Sequence, residues 1–257
     1  MDQAEEAAAM FAQISRELLA EPEEPVTLQR IADGAVEIIA ACDSCGISLR
    51  DKRGSVTTPT STAPIADECD KLQYKLHEGP CLDAIWQDEA YVIDDTTRDS
   101  RWPKWAPEVA AKGVLSVLSV RLFLTTETFG SLNLYAGKPF AFRSDDVELA
   151  LVYAMHAATA LSAARLVTGL HEAIQTRHLI GVAQGIIVQR YGLSVEGSFE
   201  VLKRYSSHAN IKLRDVAQLV VDTRSVPDDR SGDPHHPKPT RGERGATEVD
   251  PDEWTPC

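Results

Sequence analysis

Positive charge is what this sequence most lacks. Its 257 residues carry 39 Asp and Glu against 26 Lys and Arg, a formal charge of −13. A globally basic nucleic-acid binder is thereby excluded, and only a local basic module is left open. Long apolar runs are also missing. No stretch of about 18 consecutive apolar residues stands out, so no membrane span is expected. The N-terminus, MDQAEEAAAMFAQISREL, has acids where a secretory signal needs Lys or Arg. The expectation is a cytoplasmic protein. Cysteine is scarce and odd in number: Cys42, Cys45, Cys69, Cys81 and Cys257. That argues for reduced thiols rather than a disulfide framework. Cys42 and Cys45 form one close pair, but a structural zinc site usually needs two. Cys69 and Cys81 are too far apart to supply the second, and no metal site is predicted. Phosphate-loop and dinucleotide fingerprints, HExxH and GxSxG are all absent. No catalytic residues are assigned, and the chain does not read as an enzyme.

What is present is unevenly distributed. Residues 1–170 hold 26 acids and 15 bases, whereas residues 171–226 hold 5 acids and 7 bases. Residues 227–257 return to 8 acids and 4 bases. The one segment with a positive balance is therefore 171–226.

Apolar periodicity divides the chain in the same way. Phe11, Ile14 and Leu18 mark a helix over 3–20, which Glu21-Pro22-Glu23-Glu24-Pro25 breaks. A second helix is predicted over 26–41, with Thr27 as its cap. Residues 46–49 and 55–58 read as strands around the turn Asp51–Gly54. A helix over 65–76 stops at Gly79-Pro80. Tyr91-Val92-Ile93 is a short strand, and a helix over 103–112 ends at Gly113. The strongest strand signals are 114–124 and 130–135, joined as a hairpin.

From Asp145 to Tyr191 the pattern is helical with no proline. Globular helices seldom exceed about 25 residues, so this one predicts a connecting helix that pairs with a second copy; the alternative is two helices meeting near Gly169. Helices over 194–208 and 212–223 follow, the latter capped by Asn210. Beyond Pro227 apolar residues almost vanish, which predicts a disordered acidic tail. Strands mixed with helices first, then helices alone, indicate an α+β domain followed by a small helical module.

Two resemblances sharpen this. Residues 177–188, Arg-His-Leu-Ile-Gly-Val-Ala-Gln-Gly-Ile-Ile-Val, continue through Ser198-Phe199-Glu200-Val201-Leu202, Ser206-Ser207 and Leu213-Arg214-Asp215-Val216-Ala217. This run resembles an ANTAR domain, the three-helix RNA-binding module of bacterial transcription antiterminators. Two positions depart from the usual pattern. The family often has Ala-Lys-Gly at Ala183-Gln184-Gly185, and Ala at Ser198. Upstream, residues 72–84, Leu-Gln-Tyr-Lys-Leu-His-Glu-Gly-Pro-Cys-Leu-Asp-Ala, resemble the GAF sensor domains paired with ANTAR in actinobacteria. Asp94-Asp95 to Arg101-Trp102-Pro103, then 113–120 and 130–135, continue that likeness.

The resemblances imply a GAF sensor domain over 25–165 and an ANTAR domain over 166–226, which leaves the N-terminal helix over 1–24 and the tail over 227–257 outside them. The implied fold is an antiparallel GAF-like sheet flanked by helices, joined by a long helix to a three-helix module. The implied function is signal-responsive RNA binding in transcription antitermination. Partners would be RNA hairpins in nascent transcripts, a second copy through the long helix, and a small-molecule signal of unknown identity. No cofactor is assigned. The runner-up is a small-molecule-binding GAF protein or GAF-based enzyme whose C-terminal helices only dimerise.

RNA binding needs cations for phosphates and flat groups for unpaired bases. The module supplies Arg177, Arg190, Lys203, Arg204, Lys212 and Arg214, with Tyr191 and Tyr205 as stacking platforms. Gln184, in place of the family's lysine, is expected to limit RNA affinity. Gly181 and Gly185 lie one turn apart, and close packing by a neighbouring helix is expected over approach by a nucleotide backbone. In the sensor, Glu78, Cys81 and Trp102 are the candidate pocket residues. Cys81 follows Pro80 at a helix start, where a thiol is either activated or simply buried, and burial is expected. Trp86, Trp102 and Trp105 are expected in the core or pocket walls.

Overall fold

The computed structural model describes residues 12–20, 23–125 and 127–226. The expected tail over 227–257 and residues 1–11 of the expected first helix lie outside the described residues. Two compact units are formed, divided between Gly169 and Leu170.

The first unit begins with helix α1 (12–19) and helix α2 (Glu24–Ile38). Strands β1 (Ser44–Arg50) and β2 (Val56–Ser61) follow, then helices α3 (Pro64–Leu76) and α4 (Pro80–Trp86). Strand β3 (Ala90–Ile93), helix α5 (Trp105–Ala111), and strands β4 (Ser116–Leu124) and β5 (Glu127–Ala136) complete the sheet. Its order is β2-β1-β5-β4-β3, and every neighbouring pair is antiparallel.

The three central strands alternate strictly. Ile47 and Leu49, Leu118, Val120 and Leu122, and Leu132 and Leu134 project to one face. That face packs with Ile31 and Ala35 of α2 and with Tyr153, Ala157 and Leu161 of the next helix, all buried. Val117 and Tyr135 project to the opposite face, in a second core with Trp102, Trp105 and Val109. The helices over that face are α3, α4 and α5.

Helix α6 (Ser144–Tyr191) is one continuous helix of 48 residues. Gly169 therefore does not divide it. Its N-terminal half is held to the first unit by the Arg165–Glu24 ion pair (2.8 Å) and by Ser15 Oγ against His156 Nδ1 (2.8 Å). One stretch of α6 is long and apolar enough by composition to cross a bilayer, contrary to the sequence expectation. The stretch is alanine-rich, and 44% of it is buried in the chain. Its apolar composition thus reflects a packing face, on which Ala150, Ala154, Ala157, Ala158 and Leu161 meet the sheet's core.

The second unit joins the C-terminal part of α6 to α7 (Val195–Ala209) and α8 (Leu213–Thr223). Ala183, Ile187, Leu202, Val216, Ala217 and Val220 make its buried core.

The caps differ from the sequence expectation. Thr27 is not the cap of α2; it lies inside the helix and its hydroxyl donates to the Glu23 carbonyl. Gly79-Pro80 does not end α3, which stops at Leu76 with His77 in left-handed conformation; Pro80 opens α4 instead. Asn210 does not start α8 but ends α7, in left-handed conformation with φ 52°. Ser194 caps α7 by accepting from the Gly197 N–H.

Candidate functional site

Serine and asparagine occupy the remaining inward positions on the α3–α4 side of the sheet. Ser48, Ser119, Ser131 and Asn133 are all fully buried. A polar face of an antiparallel sheet ordinarily meets water. Here it meets Asp70, Gln73 and Tyr74 of α3 and Cys81 of α4. The centre of this layer is Asp70, wholly buried. Its carboxylate accepts from the Asn133 amide (2.9 Å), the Thr58 hydroxyl (3.0 Å) and the Tyr135 hydroxyl. The Asn133 amide also donates to Ser48 Oγ (2.8 Å), and Ser131 Oγ donates to Asn133 Oδ1 (3.0 Å). Ser48 Oγ lies 2.6 Å from Tyr74 Oη and 3.3 Å from Cys81 Sγ. Gln73 ties the far side, accepting from the Cys81 N–H at 2.8 Å.

Glycine makes this approach possible. A Cβ on Gly46 would stand 2.4 Å from Asp70 Oδ2. The strand can carry no side chain where the carboxyl lies over it.

The partners of Asp70 are neutral hydroxyls and an amide. Burial therefore dominates and lifts its pKa from 3.8 to about 7. The three hydrogen bonds favour the ionised form but do not cancel the loss of water. Burial, with the Asp70 charge second, also pushes the Cys81 thiol up to about 12. Cys81 at the start of α4 is therefore a buried thiol and not an activated nucleophile, since burial outweighs any helix-terminal field. Ser119 Oγ and Arg121 Nε are buried on this face without a hydrogen-bond partner among the described residues.

The other sensor candidates lie elsewhere. Glu78 accepts from the backbone N–H groups of Lys104 (2.7 Å) and Trp105 (3.1 Å), at the start of α5. Trp102 is buried, and its indole donates to Asp83 at 2.8 Å. Of the three, only Cys81 joins the polar layer. Asp70 and Asn133, its centre, were not singled out in the sequence. The signal that could have found them is the alternation Ser131-Leu132-Asn133-Leu134-Tyr135 beside a helix that must cover it. Trp86 is 52% exposed, against the expectation of a core residue, and lies under the Arg50 guanidinium at 4.4 Å.

In the second unit the expected RNA residues are exposed or half-buried around the three helices. Arg177, Lys203, Arg204, Lys212 and Arg214 are exposed, and Lys203 faces Glu200 at 3.5 Å. Arg190 donates to the Arg224 carbonyl at 3.2 Å. Tyr191 is half-buried against the core and accepts from the Val226 N–H at 3.3 Å, so one edge of its ring is committed. Gln184 is half-buried, and its amide donates to the Val195 carbonyl (2.9 Å) and to Ser198 Oγ (3.4 Å). The two departures from the ANTAR pattern therefore touch each other. Gly181 and Gly185 are not packing positions, because a Cβ on either would meet nothing within 4 Å. The first unit's packed glycines contrast with these two, which leave bare helix surface.

A GAF domain model matches residues 21–162, more than half of the chain, and an ANTAR domain model matches residues 168–221. The chain belongs to the GAF domain family and carries a GAF–ANTAR architecture. GAF is a sensor domain, and ANTAR is an RNA-binding antitermination output domain. Among solved structures, the GAF domain of a phosphoenolpyruvate-protein phosphotransferase from Coxiella burnetii is 17% identical, with a TM-score of 0.52 over 65% of this chain and 99% of that one. The corresponding Acinetobacter domain is 16% identical, with a TM-score of 0.51 over 65% and 98%. Free methionine-R-sulfoxide reductase from Neisseria meningitidis is 17% identical, with a TM-score of 0.50 over 65% and 94%. At these identities the likeness shows the fold alone. No curated protein matches the chain.

The raised pKa of Asp70 has a sign that can be measured. The folded chain holds this proton more tightly than the unfolded chain does. The stability it contributes is full below about pH 4 and is lost as pH rises to 7 and beyond. A rise of that size corresponds to at most about 4 kcal/mol. Asp70→Asn keeps an acceptor for Tyr135 and Asn133 and offers an amide to Thr58. Urea unfolding of the sensor unit's transition at pH 5, 6, 7 and 8 should show the parent losing stability with pH and the variant much less. Equal slopes would remove Asp70 as the responsible group.

Proposed function

We propose that this chain is a signal-responsive regulator that binds hairpins in nascent transcripts through residues 166–226, under control of the sensor at residues 25–165. The observation that carries the reading is the joint presence of a GAF and an ANTAR domain in one chain, with α6 running from the last helix of the first into the first helix of the second. The charge agrees, since the sole positive balance falls on 171–226. In this reading Arg177, Lys203, Arg204, Lys212 and Arg214 meet phosphates, with Arg190 and Tyr191 at the end of α6. The signal is a small molecule, the work is done in the cytoplasm, and the chain is a regulator and not an enzyme.

A stem-loop RNA with an unpaired loop should be retarded better than duplex DNA of equal length. Binding no stronger than to the DNA would reject the reading. Replacing Lys203 and Arg204 together by Ala should weaken RNA binding and flatten its dependence on salt. On single-stranded RNA the slope should fall by roughly 0.7 for each phosphate left without its cation. An unchanged slope would remove these two residues from the interface.

Gln184 is held by α7, so a lysine there would be drawn to the same Val195 carbonyl. Pairing Gln184→Lys with Ser198→Ala restores both usual residues and removes one of the two acceptors. This double variant should bind RNA more tightly, with a steeper salt slope, while circular dichroism shows an unchanged fold. A folded double variant with no gain would count against this flank of α6 as RNA surface.

We propose further that α6 pairs two copies. Leu166, Leu170 and Ile174 are 66%, 55% and 63% exposed and follow one another at four-residue spacing. Exposed apolar side chains in that spacing support a helix–helix seam. Light scattering across a dilution series should give twice the chain mass, and Leu170→Glu with Ile174→Glu should halve it. A single-chain mass for the parent at every concentration would refute the pairing.

A further inference from the structure

We infer that the groove between α6 and α8 is a pocket for one unstacked base of the bound RNA. The inference rests on the RNA-binding reading above and adds a site to it. The groove measures about 580 Å³ and is lined by Val182, Ile186, Gln189 and Arg190 of α6, by Val221 of α8 and by Arg224 at its end. That lies within the roughly 300–1,000 Å³ typical of ligand pockets.

The lining has the chemistry of a nucleotide site. Val182, Ile186 and Val221 are branched apolar side chains, suited to the flat face of a base. Val182 is 41% exposed, an apolar side chain open to solvent. Gln189 is exposed and offers both a donor and an acceptor, the pair a base edge requires. Arg190 and Arg224 add two cations at one end, where the phosphates flanking a flipped base would lie. No lining residue is acidic. A site for phosphate alone would gain nothing from the valine and isoleucine walls. A site for an apolar peptide would gain nothing from two arginines.

Local geometry holds the cations in place. Arg224 ends α8 in left-handed conformation, with φ 55°. Its carbonyl accepts from Arg190 Nη1 at 3.2 Å, so one guanidinium nitrogen is fixed across the groove while the others remain available for an anion. Tyr191, adjacent, fixes the exit by accepting from the Val226 N–H. The groove thus has a floor of packed core and a rim pinned by hydrogen bonds between α6 and the segment that follows α8.

The test uses the full chain and two RNAs: a stem-loop with an unpaired loop, and the same stem-loop with abasic loop nucleotides. The abasic RNA keeps every phosphate and lacks only the bases. The parent should prefer the intact loop by on the order of tenfold to a hundredfold, the worth of one stacked base. Val182→Trp, at an exposed position, fills the groove and should abolish that preference while leaving abasic-loop binding unchanged. Gln189→Ala, on the exposed surface, should reduce the preference several-fold. Should the tryptophan variant fail to fold by circular dichroism, Gln189→Ala decides on the same pair of RNAs. Equal losses of affinity on both RNAs, or variants that keep the parent's preference, overturn the pocket and leave the RNA reading intact. A parent that binds neither RNA overturns both.

Discussion

The sensor unit is organised around one buried carboxyl. Asp70 of α3 is wholly buried with no cation bonded to it among the described residues, and three neutral donors converge on it. Each donor comes from the sheet: Thr58 from β2, Asn133 and Tyr135 from β5. The carboxyl therefore fixes the position of α3 over the strands, and through Gln73 it fixes the start of α4 as well. An apolar interface would tolerate a small slide of the helix. A buried acceptor deprived of one donor is left with the full desolvation cost. The same cost explains why β1 has glycine at position 46, where any side chain would displace the carboxyl. The layer also has chemical consequences: it keeps Cys81 protonated, and it makes the unit's stability depend on pH near neutrality.

The output unit is built differently. Its core is small and apolar, with six fully buried apolar side chains among the described residues, and most of its polar groups lie on the surface. The exceptions are informative. Gln184 and Ser198, the two places where the chain leaves the ANTAR pattern, form a single hydrogen bond between α6 and the first turn of α7. A lysine in that place would bring a charge to the α6–α7 joint. The glutamine instead brings a neutral hydrogen bond. The pair is thus one exchange of surface charge for interhelical hydrogen bonding, not two separate losses. Bare surface at Gly181 and Gly185, and the groove along α8, leave further parts of α6 uncovered among the described residues.

Element types and order were legible in the sequence because they rest on local periodicity. The alternation in 114–124 and 130–135 gave strands, and the uninterrupted pattern from Asp145 gave a helix that the structure extends from Ser144 to Tyr191. Caps were less legible. Asn210 is equally suited to start one helix or to end another, since its short side chain tolerates left-handed backbone. Which role it takes depends on where α7 runs out of core to pack against. Trp86 was misplaced because tryptophan suggests burial; at the exposed end of α4 it is covered by Arg50 instead.

Composition, periodicity and motif were enough to establish an α+β sensor followed by a helical output module, because both depend on neighbours along the chain. Charge partition marked the output module as the basic one for the same reason. The polar layer was decided only by tertiary structure. Asp70, Ser48 and Asn133 are up to 85 residues apart, and no local pattern relates a helix carboxyl to a strand amide. Whether the serine face of the sheet meets water or a helix depends on how α3 and α4 fold back over it. That packing turns an ordinary aspartate into a buried, neutral-leaning acid, and it turns the cysteine beside Pro80 into an inert one.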